Sequence, residues 1–122
     1  MLQFDYETVD GEIVTAVLGQ ADDNGNWWSV AILLGSQALV LRVDADTDQI
    51  SVALEAAPEG ADWGPVEPMH TAIGSALGWC WIGRSYRGYL DMFIVSFSGL
   101  EPQFLFIGVA SALQMRRVSA PS

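Results

Sequence analysis

Turn-forming residues recur along this chain at short intervals, and their spacing restricts the possible folds more than any other feature of the sequence. The turn signals include Asp10-Gly11, Asp22-Asp23-Asn24-Gly25, Gly35-Ser36, Arg87-Gly88 and Ser98-Gly99. Between them lie short runs rich in Val, Ile, Leu and aromatic residues, which are the residue types that favour strands. This rhythm predicts consecutive antiparallel strands joined by short turns.

Nine segments between the turns have the composition of a strand. We predict strands over residues 4–9, 12–18, 27–34, 38–43, 50–54, 79–82, 89–97, 104–109 and 113–118. The segment 38–43 is almost entirely apolar, which is typical of a strand that is covered on both sides. Residues 108–116 also fit a helix, but the run Phe104-Leu105-Phe106-Ile107 favours β structure with a bend near residues 110–112.

One short helix is expected over residues 69–77. Met69, Ile73 and Leu77 recur there at helical spacing, and Gly78 follows as a stop signal. The predicted fold is therefore mainly β: an antiparallel sheet of about seven to nine strands, bent or rolled into a barrel, with one short helix.

The length of 122 residues predicts a single domain over residues 1–122. Hydrophobic residues make up 51% of the chain, which is enough for one core without a metal ion or a disulfide. Cys80 is the only cysteine, so no disulfide can form within the chain, and this favours a reducing compartment. The start of the chain is acidic where a signal peptide would be basic, and no apolar run reaches the roughly 20 residues of a membrane helix. We therefore expect a cytoplasmic protein without a membrane partner.

Charge is distributed unevenly along the chain. Residues 1–67 hold 13 Asp or Glu and one Arg, a net charge of −12, whereas residues 68–122 hold two acids and four Arg, a net charge of +2. Lysine is absent. This balance argues against a nucleic-acid partner, because phosphate binding needs clustered basic residues. The same charge balance is compatible with a basic protein partner. The alternative is that the acids only keep an apolar domain soluble.

The residue types of catalytic and zinc sites are scarce. His70 is the single histidine and is expected at the start of the helix or on the surface, and Cys80 is expected to be an inert small hydrophobic residue within a strand. Two such residues cannot supply the three or four ligands of a usual zinc site. The 15 acids leave a paired-carboxylate hydrolase open, but no two of them stand out. We expect no cofactor, and the sequence favours a non-enzymatic protein.

The acidic segment around Asp44 has the spacing of a calcium loop. Counted from Asp44 as the first position, Asp46, Asp48 and Glu55 occupy positions three, five and twelve. Gln49 stands at position six, where the sharp turn of such a loop needs glycine, and both flanks favour strands. The favoured interpretation is a solvated turn in which the Asp side chains cap their own backbone.

The run from residue 79 to residue 93 is the most distinctive part of the chain. It predicts two strands that meet at a turn over residues 83–88, with Trp79 and Trp81 on one face and Asp91 between two aromatic residues, Tyr89 and Phe93. A carboxylate in such a setting needs a partner, and Arg84, Arg87 or the backbone of the turn could provide one.

Two interpretations of this run stay open. In the first, Asp91 fixes the hairpin and the Trp side chains fill the core. In the second, the run is a contact surface, because Trp, Tyr and Arg dominate binding hot spots; the candidate binding residues are then Trp79, Trp81, Arg84, Tyr86, Arg87, Tyr89 and Asp91. A pocket for a small ligand is a further possibility.

The last third of the chain resembles a family of small acidic bacterial proteins of unknown function. The pattern of that family is Trp-x-Trp, a turn, Gly-Tyr-x-Asp, an apolar strand and a late Ala-Ser-Ala. The corresponding elements here are Trp79-Cys80-Trp81, Gly88-Tyr89-Leu90-Asp91, residues 92–97 and Ala110-Ser111-Ala112. The resemblance implies no established activity, although small acidic bacterial domains of this sort are sometimes suspected of being toxin-neutralising immunity proteins.

These observations leave the biochemical function open. The leading hypothesis is a non-enzymatic binding protein, an immunity-type inhibitor of a basic protein. The first alternative is a β-barrel for a small ligand, or a cryptic enzyme, lined by the hairpin of residues 79–93. The second alternative is a homo-oligomeric structural subunit whose aromatic side packs on a copy of itself.

Overall fold

The computed structural model of the chain describes residues 2–3, 6–44, 46–84, 90–98, 103–109 and 112–118. Within these ranges ten strands form two sheets that pack face to face around one core. The strands are β1 (Leu2–Gln3), β2 (Ala16–Ala21), β3 (Trp27–Leu34), β4 (Gln37–Val43), β5 (Ile50–Ala56), β6 (Gly64–Pro65), β7 (Leu77–Arg84), β8 (Leu90–Phe97), β9 (Phe104–Val109) and β10 (Ala112–Arg117).

The first sheet has six strands in the order β1-β5-β4-β3-β2-β6. Strands β2 to β5 follow one another as an antiparallel meander, β6 pairs antiparallel with β2, and β1 pairs in parallel with β5. The second sheet has the order β10-β9-β8-β7, and all of its pairs are antiparallel. The mainly β prediction is confirmed, but the strands divide between two sheets instead of rolling into one barrel.

The predicted strand boundaries agree fully for two strands. Strands β3 and β9 have the predicted bounds, and the strand interpretation of residues 108–116 is confirmed by the β9–β10 pairing. The predicted strand over residues 4–9 is wrong, because Tyr6–Thr8 form a 3-10 helix. The strand predicted over residues 12–18 begins only at Ala16 and runs on to Ala21.

The expected helix near residue 70 is a 3-10 helix over Glu67–Ala72. It ends before residue 77 because Gly74 takes a φ of 88°, which lies outside helical geometry, and Leu77 already begins β7. Neither helix in the described ranges is long and apolar enough to cross a membrane.

The core lies between the inner faces of the two sheets. The second sheet contributes Phe93, Phe104 and Phe106, each at most 1% exposed, and the first sheet faces them with Ile32, Leu39, Leu41, Ile50 and Val52. Burying a side chain of this size contributes about 1.5–3 kcal/mol, so this layer supplies most of the favourable free energy of folding. The Phe97 and Phe104 rings also meet edge to face, with centroids 6.0 Å apart.

The other side of the first sheet is also covered. Ala31, Ala38 and Val40 form a second apolar cluster, and Trp63 packs against it from the connection between β5 and β6. This connection crosses the sheet, because β5 and β6 lie towards opposite edges. Strand β4 is therefore buried on both sides, as its nearly continuous apolar sequence predicts.

Gly108 of β9 lies directly against the turn between β4 and β5. A Cβ atom at this position would overlap the carbonyl oxygen of Asp48, which lies in the turn between β4 and β5, and would press on Val43. Glycine is needed here because the backbone of the facing turn occupies the space of any side chain.

We expect Gly108→Ala to destabilise the fold by about 1–3 kcal/mol, since the methyl group collides with backbone that can move only with the whole turn. Gly64→Ala is the matched control, because a Cβ atom there meets no atom within 4 Å. Guanidinium denaturation of the two variants and the wild type measures the difference. Equal stability of the two variants would show that the turn is not packed against β9.

Candidate functional site

Strands β7 and β8 form the antiparallel pair that the sequence predicts for residues 79–97. Of the seven candidate binding residues, the structure describes Trp79, Trp81, Arg84 and Asp91. Tyr86, Arg87 and Tyr89 lie in segment 85–89, outside the described residues. The pairing of two extended strands is thus confirmed, whereas the role of the turn itself stays a prediction.

A β-bulge at Gly78 and Trp79 sets the direction of both Trp side chains. Leu77 pairs with Phe97, but Cys80 pairs with Val95, so two residues of β7 stand opposite Ser96 alone. The Trp79 N–H donates a hydrogen bond of 2.7 Å to Ser96 Oγ, which holds the bulge. Because the bulge inserts one residue, Leu77 and Cys80 both face the core, while Trp79 and Trp81 point away from it.

The register of the second sheet separates its side chains into two faces. Phe93, Phe106 and Met115 form a paired row that belongs to the core between the sheets, and Ile82, at the edge of the same row, is 40% exposed. The alternate rows form the opposite side, which we call the outer face; its described residues are Trp79, Trp81, Gly83, Met92, Ile94, Ser96, Leu105, Ile107, Val109, Ala112, Gln114 and Arg116. No Asp or Glu is among them.

The outer face is apolar and partly open to solvent. Trp79 is 44% exposed and Val109 is 39% exposed, and the apolar side chains between them, those of Trp81, Met92, Ile94, Leu105 and Ile107, are half-buried. The interpretation in which both Trp residues fill the core is therefore wrong, because the bulge turns them outwards. Between the two sheets, β10 contacts β3 and β4, and β8 contacts β5.

Arg84 and Asp91 lie at a second irregularity of the same hairpin. The register passes from Gly83–Met92 to Arg84–Leu90, which leaves Asp91 with no opposite residue on β7. Arg84 is exposed and Asp91 is partly exposed; Tyr89, expected to flank Asp91, lies outside the described residues. Arg87, which was expected as a partner of Asp91, lies outside the described residues. The structure thus brings Trp79 and Trp81 onto one face, and it places Arg84 and Asp91 at the end of that hairpin.

Four apolar members of the outer face, Met92, Ile94, Leu105 and Ile107, were not among the candidate residues. Their signal was present in the sequence, because β9 reads Phe-Leu-Phe-Ile and is apolar in both alternating positions. Such a run indicates a strand that is apolar on both sides. It does not say whether the second side is covered within the chain.

Cys80 points into the core next to the two outward Trp residues. It is a free thiol packed against the core cluster, and burial raises its pKa to about 12. A thiol with so high a pKa has almost no nucleophilic thiolate near neutral pH. This environment agrees with the expectation of an inert residue in a strand.

We expect the Cys80 thiol of the folded protein to react with iodoacetamide at least about 100-fold more slowly than in the unfolded chain, since both access and thiolate content are reduced. Mass spectrometry of time points with and without guanidinium measures the two rates, and the single cysteine makes the assignment unambiguous. Comparable rates in the two states would mean that the thiol is not buried.

The acidic segment around Asp44 forms a self-capped turn. Asp44 Oδ1 accepts hydrogen bonds from the N–H groups of Asp46, at 2.8 Å, and Thr47, at 3.3 Å. The predicted capping of the turn by its own side chain is thus confirmed. Across the described residues, no group of three or more His, Cys, Asp and Glu side chains is placed to hold a metal ion.

Glu55, counted as the twelfth position of the calcium spacing, instead binds Arg42 across β4 and β5. The guanidinium donates two hydrogen bonds, Nη1 to Oε2 at 2.5 Å and Nη2 to Oε1 at 3.0 Å. This bidentate contact lowers the pKa of Glu55 and raises that of Arg42. Both side chains are about 40% exposed, so solvent screens the pair.

Because the folded-state pKa of Glu55 is lowered, its contribution to stability is present above the unfolded-state pKa and is lost as the pH falls through the folded value. We expect Glu55→Gln to lower the free energy of unfolding by less than about 1 kcal/mol at neutral pH, and the difference to vanish in acid. Denaturation curves at both pH values test this, with Glu59→Gln in the exposed loop as control. A difference that persists in acid would contradict the assignment.

The remaining candidate features are His70 and a groove beside β10, whose lining includes Gln114 and Arg116 of the outer face. His70 is exposed on the Glu67–Ala72 helix, where its Nδ1 hydrogen-bonds the Glu67 carbonyl oxygen at 3.0 Å, and this confirms the expected surface position. A groove of about 220 Å³ lies between the start of β3 and strand β10, lined by Gly25, Asn26, Trp27 and residues 113–116. None of these lining residues belongs to the hairpin of residues 79–93, which was the expected wall of a ligand pocket.

Comparison with known proteins gives one match. A family described as "Family of unknown function (DUF6334)" matches residues 1–122. No curated protein and no solved structure matches the chain. The expected resemblance to a family of unknown function is confirmed at that level.

Proposed function

We propose that this chain, which belongs to the DUF6334 family of unknown function, is a non-enzymatic protein-binding domain that contacts another protein chain through the outer face. One observation carries the proposal. The second sheet presents an apolar, Trp-containing surface on the side away from the core, and its largest exposed side chain is Trp79, at 44%. Contiguous apolar surface of this kind marks interaction sites in soluble proteins.

The composition of the outer face suits a protein partner better than a small ligand. Trp79 and Trp81 supply large, rigid contact area, and Arg116 adds a cation on the edge strand. Trp and Arg are enriched among the residues that contribute most to protein interfaces. A sheet surface is also broad and open, whereas small-molecule sites are concave.

Two further features support a non-enzymatic role. Cys80 is directed into the core with a raised pKa, and His70 lies on the surface with its Nδ1 bonded to a backbone carbonyl. Neither residue therefore has the position of an activated nucleophile or a general base beside the outer face.

The acidic part of the chain favours a second candidate function. In this function the protein binds a basic protein, as an immunity-type inhibitor does. Ten of its Asp and Glu residues are exposed, namely Glu7, Asp10, Glu12, Asp22, Asp23, Asp44, Asp46, Glu59, Asp62 and Glu67. The single base of residues 1–67, Arg42, is engaged by Glu55. Such a surface accelerates the approach of a positively charged protein. A cytoplasmic location and a bacterial source belong to the same proposal.

Site-specific photo-crosslinking tests the contact surface in cells that express the protein. We expect p-benzoylphenylalanine in place of Trp79 to give a discrete crosslinked species, because position 79 then lies within an interface. The matched control is position 28, since Trp28 is 41% exposed on β3 of the other sheet. Mass spectrometry of the crosslinked band identifies the partner.

The outcomes separate the two functions. Crosslinks at position 79 and not at position 28 support the outer face as a contact surface, whether the partner is a copy of the chain or another protein. A basic protein captured at position 23, in the exposed acidic turn, and not at position 79 would favour the second candidate. Absence of crosslinks at position 79 in well-expressed protein would refute the proposed surface.

A further inference from the structure

We infer that the outer face binds a second copy of this chain, so that the protein is a reversible face-to-face homodimer. The inference rests on the proposed function, because it names the partner of the same surface. It follows from three properties of the outer face: its charge, its size and its position relative to the acidic part of the chain.

The charge distribution favours a second copy of the chain as the partner of the outer face. The chain carries a net charge of −10, yet the described residues of the outer face include no acid and one base, Arg116; Asp91 lies next to this face, at the bulge beside Met92 at the end of the hairpin. Two copies of so acidic a protein repel each other over most orientations. Pairing through the outer faces brings together the surface that lacks acids, whereas eight of the twelve described acids of residues 1–67 lie on strands β2 to β6 of the first sheet or in the loops that join them. A basic partner, by contrast, would be drawn towards those acids.

Size agrees with a weak dimer. Four strands about 4.8 Å apart, each of six to eight residues at about 3.3 Å per residue, cover a flat area of roughly 440 Å². Stable interfaces bury about 600–1,000 Å² on each partner. The projecting Trp, Met, Ile and Leu side chains make the accessible area larger than the flat area, so a face-to-face pair lies near the lower end of that range. We therefore expect a dissociation constant on the order of micromolar.

Pairing of two identical copies through one face also limits the assembly to a dimer. A twofold axis through the outer face lets the same apolar residues meet on both copies, and such an isologous contact ends at two subunits. The outer side of the first sheet is already covered where Trp63 packs on Ala31, Ala38 and Val40.

Sedimentation velocity from about 1 μM to about 500 μM tests the dimer at low and high salt. We expect concentration-dependent dimerisation that strengthens as salt is added, because salt screens the repulsion between two copies of net charge −10. Trp79→Glu and Trp79→Lys should both weaken the dimer by at least about tenfold, since each removes the apolar contact whatever charge it adds. Trp28→Glu, at an equally exposed Trp of the first sheet, should leave it unchanged.

Near-ultraviolet circular dichroism and melting temperature show whether each variant is folded. A wild type that stays monomeric over the whole range overturns the inference, as does a dimer that salt dissociates or that Trp28→Glu weakens as much as Trp79→Glu. If the protein stays monomeric but position 79 crosslinks to a different protein, the homodimer is refuted. The outer face as a protein contact surface then still stands.

Discussion

The structure depends on one apolar layer, in which the Phe side chains of the second sheet pack against the Ile, Leu and Val side chains of the first. The two sheets have no disulfide between them, because the chain has a single cysteine, so their contact rests on shape and burial. Side chains that fit this closely tolerate little change of register, since a shift by one residue would exchange the two faces of a strand. At Gly108 the fit leaves no room for a Cβ atom, because the backbone of the β4–β5 turn lies against it.

The face turned away from the core is covered on the first sheet and partly exposed on the second. This difference gives the chain its candidate site. The connection between β5 and β6 carries Trp63 across the first sheet and completes a small second core over Ala31, Ala38 and Val40. On the second sheet, the bulge at Gly78 and Trp79 turns two Trp side chains to the corresponding outer position, where they stay partly exposed. Most of the described acids thus lie on the first sheet or in its loops, whereas the apolar surface lies on the second sheet.

Much of the fold follows from local sequence, whereas the directions of the functional side chains do not. The bounds of β3 and β9, the self-capped turn at Asp44 and the surface position of His70 were predictable, because each depends on neighbours in the chain. The division into two sheets, the parallel pairing of β1 and the outward direction of Trp79 and Trp81 were not, because they depend on pairings between distant residues and on a bulge that the alternation pattern does not reveal. Likewise, spacing alone could not show that Glu55 is committed to Arg42.

The parallel pairing of β1 with β5 has a consequence for folding. Leu2 pairs with Val52 and Gln3 pairs with Ala53, some fifty residues further along the chain. The pairs of the meander, β2–β3, β3–β4 and β4–β5, instead join strands that are neighbours in sequence. Closing so long a loop for a two-residue contact is costly in entropy, so β1 should dock after the meander has formed. During synthesis the beginning of the chain must therefore wait for β5 to leave the ribosome. Its arrival also covers an edge of the sheet to which a strand of another nascent chain could otherwise attach.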